Sequence, residues 1–166
     1  MAEPKSSYDK FAGVTINSTS GNDLPVGFLE NFTITLDMRQ EISQSGVTNY
    51  FMVVGSVAVN GYILPSSGQS LLLLIDDTNR IAFSTALNSQ TRPFGRIVFY
   101  PATEDQLRSV AAAVRCDVRV VQAFGPPIDK KLAKKNLQNF RDFAIKYLPP
   151  APHLAQKFNP HLVIHS

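Results

Sequence analysis

Residues 100–148 read YPATEDQLRSVAAAVRCDVRVVQAFGPPIDKKLAKKNLQNFRDFAIKYL, and this stretch decides the fold class. An apolar run ends at Tyr100-Pro101. Thr103-Glu104-Asp105-Gln106 then forms a capping box, a threonine at the N-cap with a glutamine three residues on. Leu107, Val110, Ala111 and Val114 follow at helical spacing, which predicts a short helix over 103–114. Cys116 to Phe124 predicts a strand, and Gly125-Pro126-Pro127 breaks the chain. Asp129 is the expected N-cap of a longer helix over 129–148. On it Leu132, Ala133, Leu137, Phe140, Phe143, Ala144, Tyr147 and Leu148 fill one arc. Lys131, Lys134, Lys135, Gln138, Arg141, Asp142 and Lys146 fill the other. Two residues misfit. Asn136 lies in the apolar arc and, if buried, needs hydrogen-bond partners, such as a loop backbone. Ile145 lies among the polar residues.

Upstream the pattern is β. Residues 1–10 are polar and read as a flexible N-terminus outside the domain. Val14 and Ile16 mark a short strand, and Asn17 to Pro25 is rich in turn formers. Phe32, Ile34, Leu36 and Met38 alternate with polar residues, the period of a strand with one buried face. Gln40 to Gly46 is polar and reads as a loop. Val47 to Val59 is apolar on both faces, as a strand covered on two sides would be. Asn60-Gly61 is a hairpin signal, with Pro65 ending the return strand. Leu71 to Ile75 and Arg80 to Thr85 flank Asp76-Asp77-Thr78-Asn79, a turn by composition. Asn88 to Pro93 reads as a loop and Arg96 to Tyr100 as the last strand before the helices. Pro149-Pro150-Ala151-Pro152 opens a proline-rich tail.

The expectation is therefore a single α+β domain over 11–148. It has a mainly antiparallel sheet of six to eight strands, curved or split into a sandwich, with two C-terminal helices packed on it and a tail over 149–166. A chain of 166 residues buries an adequate core without disulfides or metals. Its one cysteine, Cys116, excludes an internal disulfide and reads as a small buried hydrophobe. No apolar run approaches the roughly 20 residues of a membrane helix. The start has no apolar stretch of the signal-peptide kind. The chain is cytoplasmic if Met1 is its native start, and exported or periplasmic if a signal has been removed.

Four segments together resemble a group of small uncharacterised bacterial proteins, often exported or lipid-anchored. They are Tyr8-Asp9-Lys10-Phe11 with Thr15, Leu71 to Phe83, Leu107 to Ala113 with Val118-Arg119-Val120, and Leu137 with Phe140-Arg141-Asp142-Phe143. The resemblance covers about residues 8–148 and implies an α+β fold and an envelope location. It supplies no catalytic residues. The chain departs from that group in its missing signal and its extra tail.

The chemical inventory is short. Residues 1–152 contain no histidine, so Ser-His-Asp and Cys-His arrangements cannot form in the body of the chain. His153, His161 and His165 all lie in the tail, without zinc-ligand spacing. No phosphate loop or dinucleotide motif is present. Neither catalytic residues, nor metal ligands, nor a cofactor are expected. Charge is uneven: residues 1–100 hold six Lys/Arg against eight Asp/Glu, residues 101–166 ten against five. The positive excess suits an anionic surface or a protein partner. Nucleic acid is disfavoured because Phe140, Phe143 and Tyr147 lie on the apolar arc, away from the lysines. The leading expectation is a non-catalytic binding or scaffold module. Its candidate contacts are Lys131, Lys134, Lys135, Arg141 and Ile145 on the last helix, and Leu162, Val163 and Ile164 in the tail. The tail triplet would pair with a sheet edge of a partner or of a second copy, giving a homo-oligomer. The alternative is a histidine-free hydrolase or lyase that uses Asp37, Asp76 or Asp77 as paired carboxylates.

Overall fold

The structure, a computed structural model, describes residues 3–25, 32–58, 65–84, 89–92 and 95–150. In chain order the elements are β1 (Lys5–Asp9), β2 (Val14–Ser18), β3 (Phe32–Ser43), β4 (Thr48–Ala58), β5 (Gln69–Ile75), β6 (Asn79–Ser84), β7 (Ser89–Arg92), β8 (Gly95–Ala102), α1 (Glu104–Ala112), β9 (Cys116–Val120), β10 (Ile128–Lys131) and α2 (Lys134–Tyr147). They form a six-stranded sheet in the order β1-β2-β3-β4-β8-β7 and a four-stranded sheet in the order β10-β9-β5-β6. Every pairing is antiparallel. The α+β class, the antiparallel sheets and the two helices in the C-terminal third agree with the sequence reading.

The period of two in β3 does what it implies. Ile34, Leu36 and Met38 face the interior and are fully buried, with Met52 and Val54 of β4 and Val98 and Tyr100 of β8 beside them in register. From the other sheet come Leu71, Leu73, Ile75, Ile81, Phe83, Val118 and Val120. Leu107 and Val110 of α1, and Leu137, Phe140 and Phe143 of α2, complete the same cluster, so both sheets and both helices close over one core. The hydroxyls of Ser70 and Tyr100, 3.1 Å apart, join the two sheets inside it.

Tight turns are placed by residues that tolerate positive φ. Gly13 (φ 66°) closes β1–β2 and Gly46 (φ 82°) closes β3–β4. Between β5 and β6, Asp76 (φ 49°) and Asp77 (φ 60°) occupy the left-handed region that aspartate enters more readily than most residues. The capping box of α1 forms as expected: the Gln106 N–H donates to Thr103 Oγ1 (3.2 Å) and the Thr103 N–H to Gln106 Oε1 (2.8 Å).

Ten strands stand among the described residues where six to eight were expected, for three reasons. Lys5–Asp9, read as lying outside the domain, is the edge strand β1, although all five residues are exposed. Ser89–Arg92, read as loop, pairs with β8. Ile128–Lys131, read as the first turn of the long helix, pairs with β9. Asp129 is therefore not a helix cap. It sits opposite Arg119, and the two form a bidentate cross-strand pair at 2.6 Å. α2 begins at Lys134 behind Ala133, with no side-chain cap. β3 also runs to Ser43, through residues read as loop. The hairpin signal at Asn60-Gly61 and all of the tail beyond Pro150 lie outside the described residues.

Phe140 is fully buried on α2 among residues of both sheets. Phe140→Ala should cost about 3–5 kcal/mol in urea denaturation. An unchanged midpoint would show that α2 is not docked by this side chain.

Candidate functional site

A polar seam holds α2 to the first sheet. The segment from Thr19 to Leu24 continues β2 along β3: Thr19 N–H donates to the Met38 carbonyl, Leu36 N–H to Asn22, and Leu24 N–H to Ile34. Its side chains then turn toward the helix. The Asn136 amide donates to the Asp23 carbonyl (3.0 Å), and the Asn139 amide to Asn22 Oδ1 (2.8 Å). At the far end Gln40 donates to the Tyr147 carbonyl (2.9 Å) and accepts from Asn17 (2.7 Å). Asn17, Thr19, Asn22, Gln40, Asn136 and Asn139 are all buried. The loop-backbone partner expected for Asn136 is the one it has.

Asp37 joins this seam from β3. Its Oδ1 accepts from the Thr19 hydroxyl (3.0 Å) and from the Asn22 amide (2.8 Å). These bonds favour the carboxylate, but burial outweighs them, with the nearby Asp23 charge acting in the same direction as burial, and Asp37 is pushed up to about 6. Of the three carboxylates considered for catalysis, Asp76 and Asp77 stand together on the β5–β6 turn, both engaged by Arg115, and Asp37 lies apart from them. Asp76, on the β5–β6 turn, accepts from the Val114 N–H (3.0 Å) and the Arg115 N–H (2.8 Å), fastening the exit of α1. Asp77 pairs with Arg115 at 3.0 Å. Asp37 stands on the other sheet. Cys116 is fully buried, and burial together with Asp117 and Asp76 pushes its thiol up to about 12, far from a nucleophile's range.

A concavity of about 800 Å³ lies elsewhere, on the outward face of the four-stranded sheet. Alternation along the strands builds it. While Leu71 and Leu73 point into the core, Leu72 and Leu74 point out. The registers place two rows across this face: Asp129, Arg119, Leu72, Ala82 and, beside it, Lys131, Asp117, Leu74, Arg80. Leu74 is 37% exposed, a leucine on a wet face. Pro25 also lines it. The ions are unevenly matched. Asp129 is held by Arg119, well below the usual carboxylate range, through the hydrogen bonds that Arg119 donates. Asp117 Oδ2 accepts from Arg115 (3.2 Å), while its Oδ1 is buried without a hydrogen-bond partner. Among the described residues no carboxylate lies in ion-pair range of Arg80 or Lys131.

The structure separates the helix-face residues named from sequence. Lys131 lies in the groove, on β10. Lys134 and Lys135 are exposed on the first turn of α2. Arg141 is half-buried and donates to the Ala113 carbonyl (2.7 Å), tying α2 to the end of α1. Ile145 is 83% exposed. Leu162, Val163 and Ile164 lie outside the described residues. The reading missed the groove's Leu72, Leu74, Arg80 and Arg119, and the seam's Asn22 and Asn139. The signal for the seam was present: Asn136 and Asn139 fall three residues apart on the face that carries Leu137 and Phe140.

Against family models, curated proteins and solved structures, this chain has no match.

Asp37 yields a pH prediction. Its folded value of about 6 lies above the usual 3.8, so the folded chain binds the proton more tightly than the unfolded one. Stability should fall as pH rises from 3.8 through about 6 and stay level above. Asp37→Asn keeps an oxygen for Thr19 and Asn22 and removes the charge. It should abolish that slope and be more stable than wild type at pH 7 by on the order of 2 kcal/mol. Urea melts at pH 4 and pH 7 measure both; a slope unchanged in the variant assigns the titration to another group.

Proposed function

We propose that this protein is a non-catalytic binding module and that the outward face of the four-stranded sheet is its binding surface. The observation that carries this is the groove itself. It has an apolar floor of Leu72 and Leu74 beside two cations, Arg80 and Lys131, that have no carboxylate partner within the described part of the molecule. Apolar area held open to water between fixed charges is the composition of a recognition surface. Opposite charges already paired on the same face, Arg119 with Asp129, give it a fixed shape before a partner arrives.

A binding role also agrees with the chemistry around the groove. Its acids are engaged, Asp129 by Arg119 and Asp117 by Arg115, so neither is placed as a general base. The exposed lysines 134 and 135 on α2 remain candidates for a second contact with an anionic surface.

A fragment screen by ¹H–¹⁵N correlation spectroscopy tests the assignment. Binding fragments should shift the amides of Leu72, Leu74, Arg80, Asp117 and Lys131, and Leu74→Asp, which changes only an outward side chain, should remove those shifts without lowering the melting temperature by more than a few degrees. Fragment shifts that cluster on another face, or none at all, would overturn it.

A further inference from the structure

The groove's occupant can be narrowed by geometry. Lys131, Asp117, Leu74 and Arg80 stand in one row across β10, β9, β5 and β6. Three inter-strand steps of about 4.8 Å separate the two outer residues, so the cations stand about 14 Å apart with Asp117, already paired to Arg115, and Leu74 between them. An extended chain rises about 3.4 Å per residue and turns every second side chain to the same face. Residues i, i+2 and i+4 of such a chain therefore span about 14 Å on one side.

We infer that the groove takes an extended segment of a partner protein with acidic residues at i and i+4 and an apolar residue at i+2. The acids meet Lys131 and Arg80, and the apolar side chain covers Leu74 and Leu72. This rests on the groove being the binding surface and names what fills it. Two features favour a polypeptide over other amphipathic anions. The face is open, with the side chains of Arg119 and Asp129 each more than half exposed, which suits an extended chain lying across it. The net unmatched charge of the face is two cations set apart, which suits separated carboxylates better than one concentrated phosphate.

The test uses two capped peptides of equal composition, one with the core Glu-Thr-Leu-Thr-Glu and one with Thr-Glu-Leu-Glu-Thr. In the second the acids point away from the leucine. Binding is followed by amide shifts of the full chain and by fluorescence anisotropy. The first peptide should shift the groove amides and bind at least fivefold more tightly than the second. Arg80→Gln and Lys131→Gln, both at exposed positions, should each weaken it about fivefold and reduce its salt dependence. Equal affinity for the two peptides, or affinity unchanged in both variants, would overturn the inference. So would groove shifts produced by phosphatidylserine vesicles and by neither peptide, which would assign the face to a lipid surface. If fragments map to the groove while neither peptide binds, the acidic-segment inference fails and the binding surface stands. If fragments map elsewhere, both fail.

Discussion

The hydrogen bonds that the buried Asn136 and Asn139 amides of α2 donate to the first sheet's side govern this architecture. A helix that carried only Leu137, Phe140 and Phe143 into the core could slide or rotate on the sheet at modest cost, because apolar contact is not directional. Asn136 and Asn139 remove that freedom. Each is fully or almost fully buried, and each finds its partner only where the chain from Thr19 to Leu24 runs beside β3. Gln40 fixes the other end of the helix through the Tyr147 carbonyl. Directional bonds at both ends set the helix in one register, and the apolar residues between them then pack in one way. The cost appears at Asp37, whose carboxylate is drawn into the seam and held partly out of water.

The seam also explains what could and could not be read from the chain. Period-two alternation in β3 and the capping box of α1 are local signals, and the structure reproduces both. Ile128–Lys131 was misread because its deciding partner is not local. Asp-Lys-Lys before a helical pattern looks like a first turn until Arg119, ten residues upstream, is placed opposite Asp129. Lys5–Asp9 was missed for the opposite reason. An edge strand with every residue exposed has no apolar period to betray it. The α2 asparagines were half legible. Asn136 announced itself as a misfit, but its partner lay in a loop more than a hundred residues away.

The groove was the least legible part. Leu71 to Ile75 reads as an uninterrupted apolar run of strand length, with no alternation to mark an outward face. In the structure only alternate members of that run are covered. Leu72 and Leu74 gain their meaning from neighbours contributed by three other strands: Ala82 and Arg80, Arg119 and Asp117, Asp129 and Lys131. A row across a sheet is invisible in a linear reading, since its members are separated by turns and by α1. The exposed lysines of α2, conspicuous in the sequence, are by contrast the simpler feature, a solvated helix face with Arg141 withdrawn to the Ala113 carbonyl.

The strict alternation of β5 has an evolutionary consequence. Inward residues Leu71, Leu73 and Ile75 are held by the core, while Leu72, half-buried, and Leu74, exposed, lie on the opposite face of the strand. The two sets share a backbone and face opposite ways. Substitutions on the outer rows can accumulate with little penalty in stability, and the surface can diverge between descendants that keep the same interior. Under the proposed binding role, selection on recognition and selection on folding act on different letters of the same five-residue word.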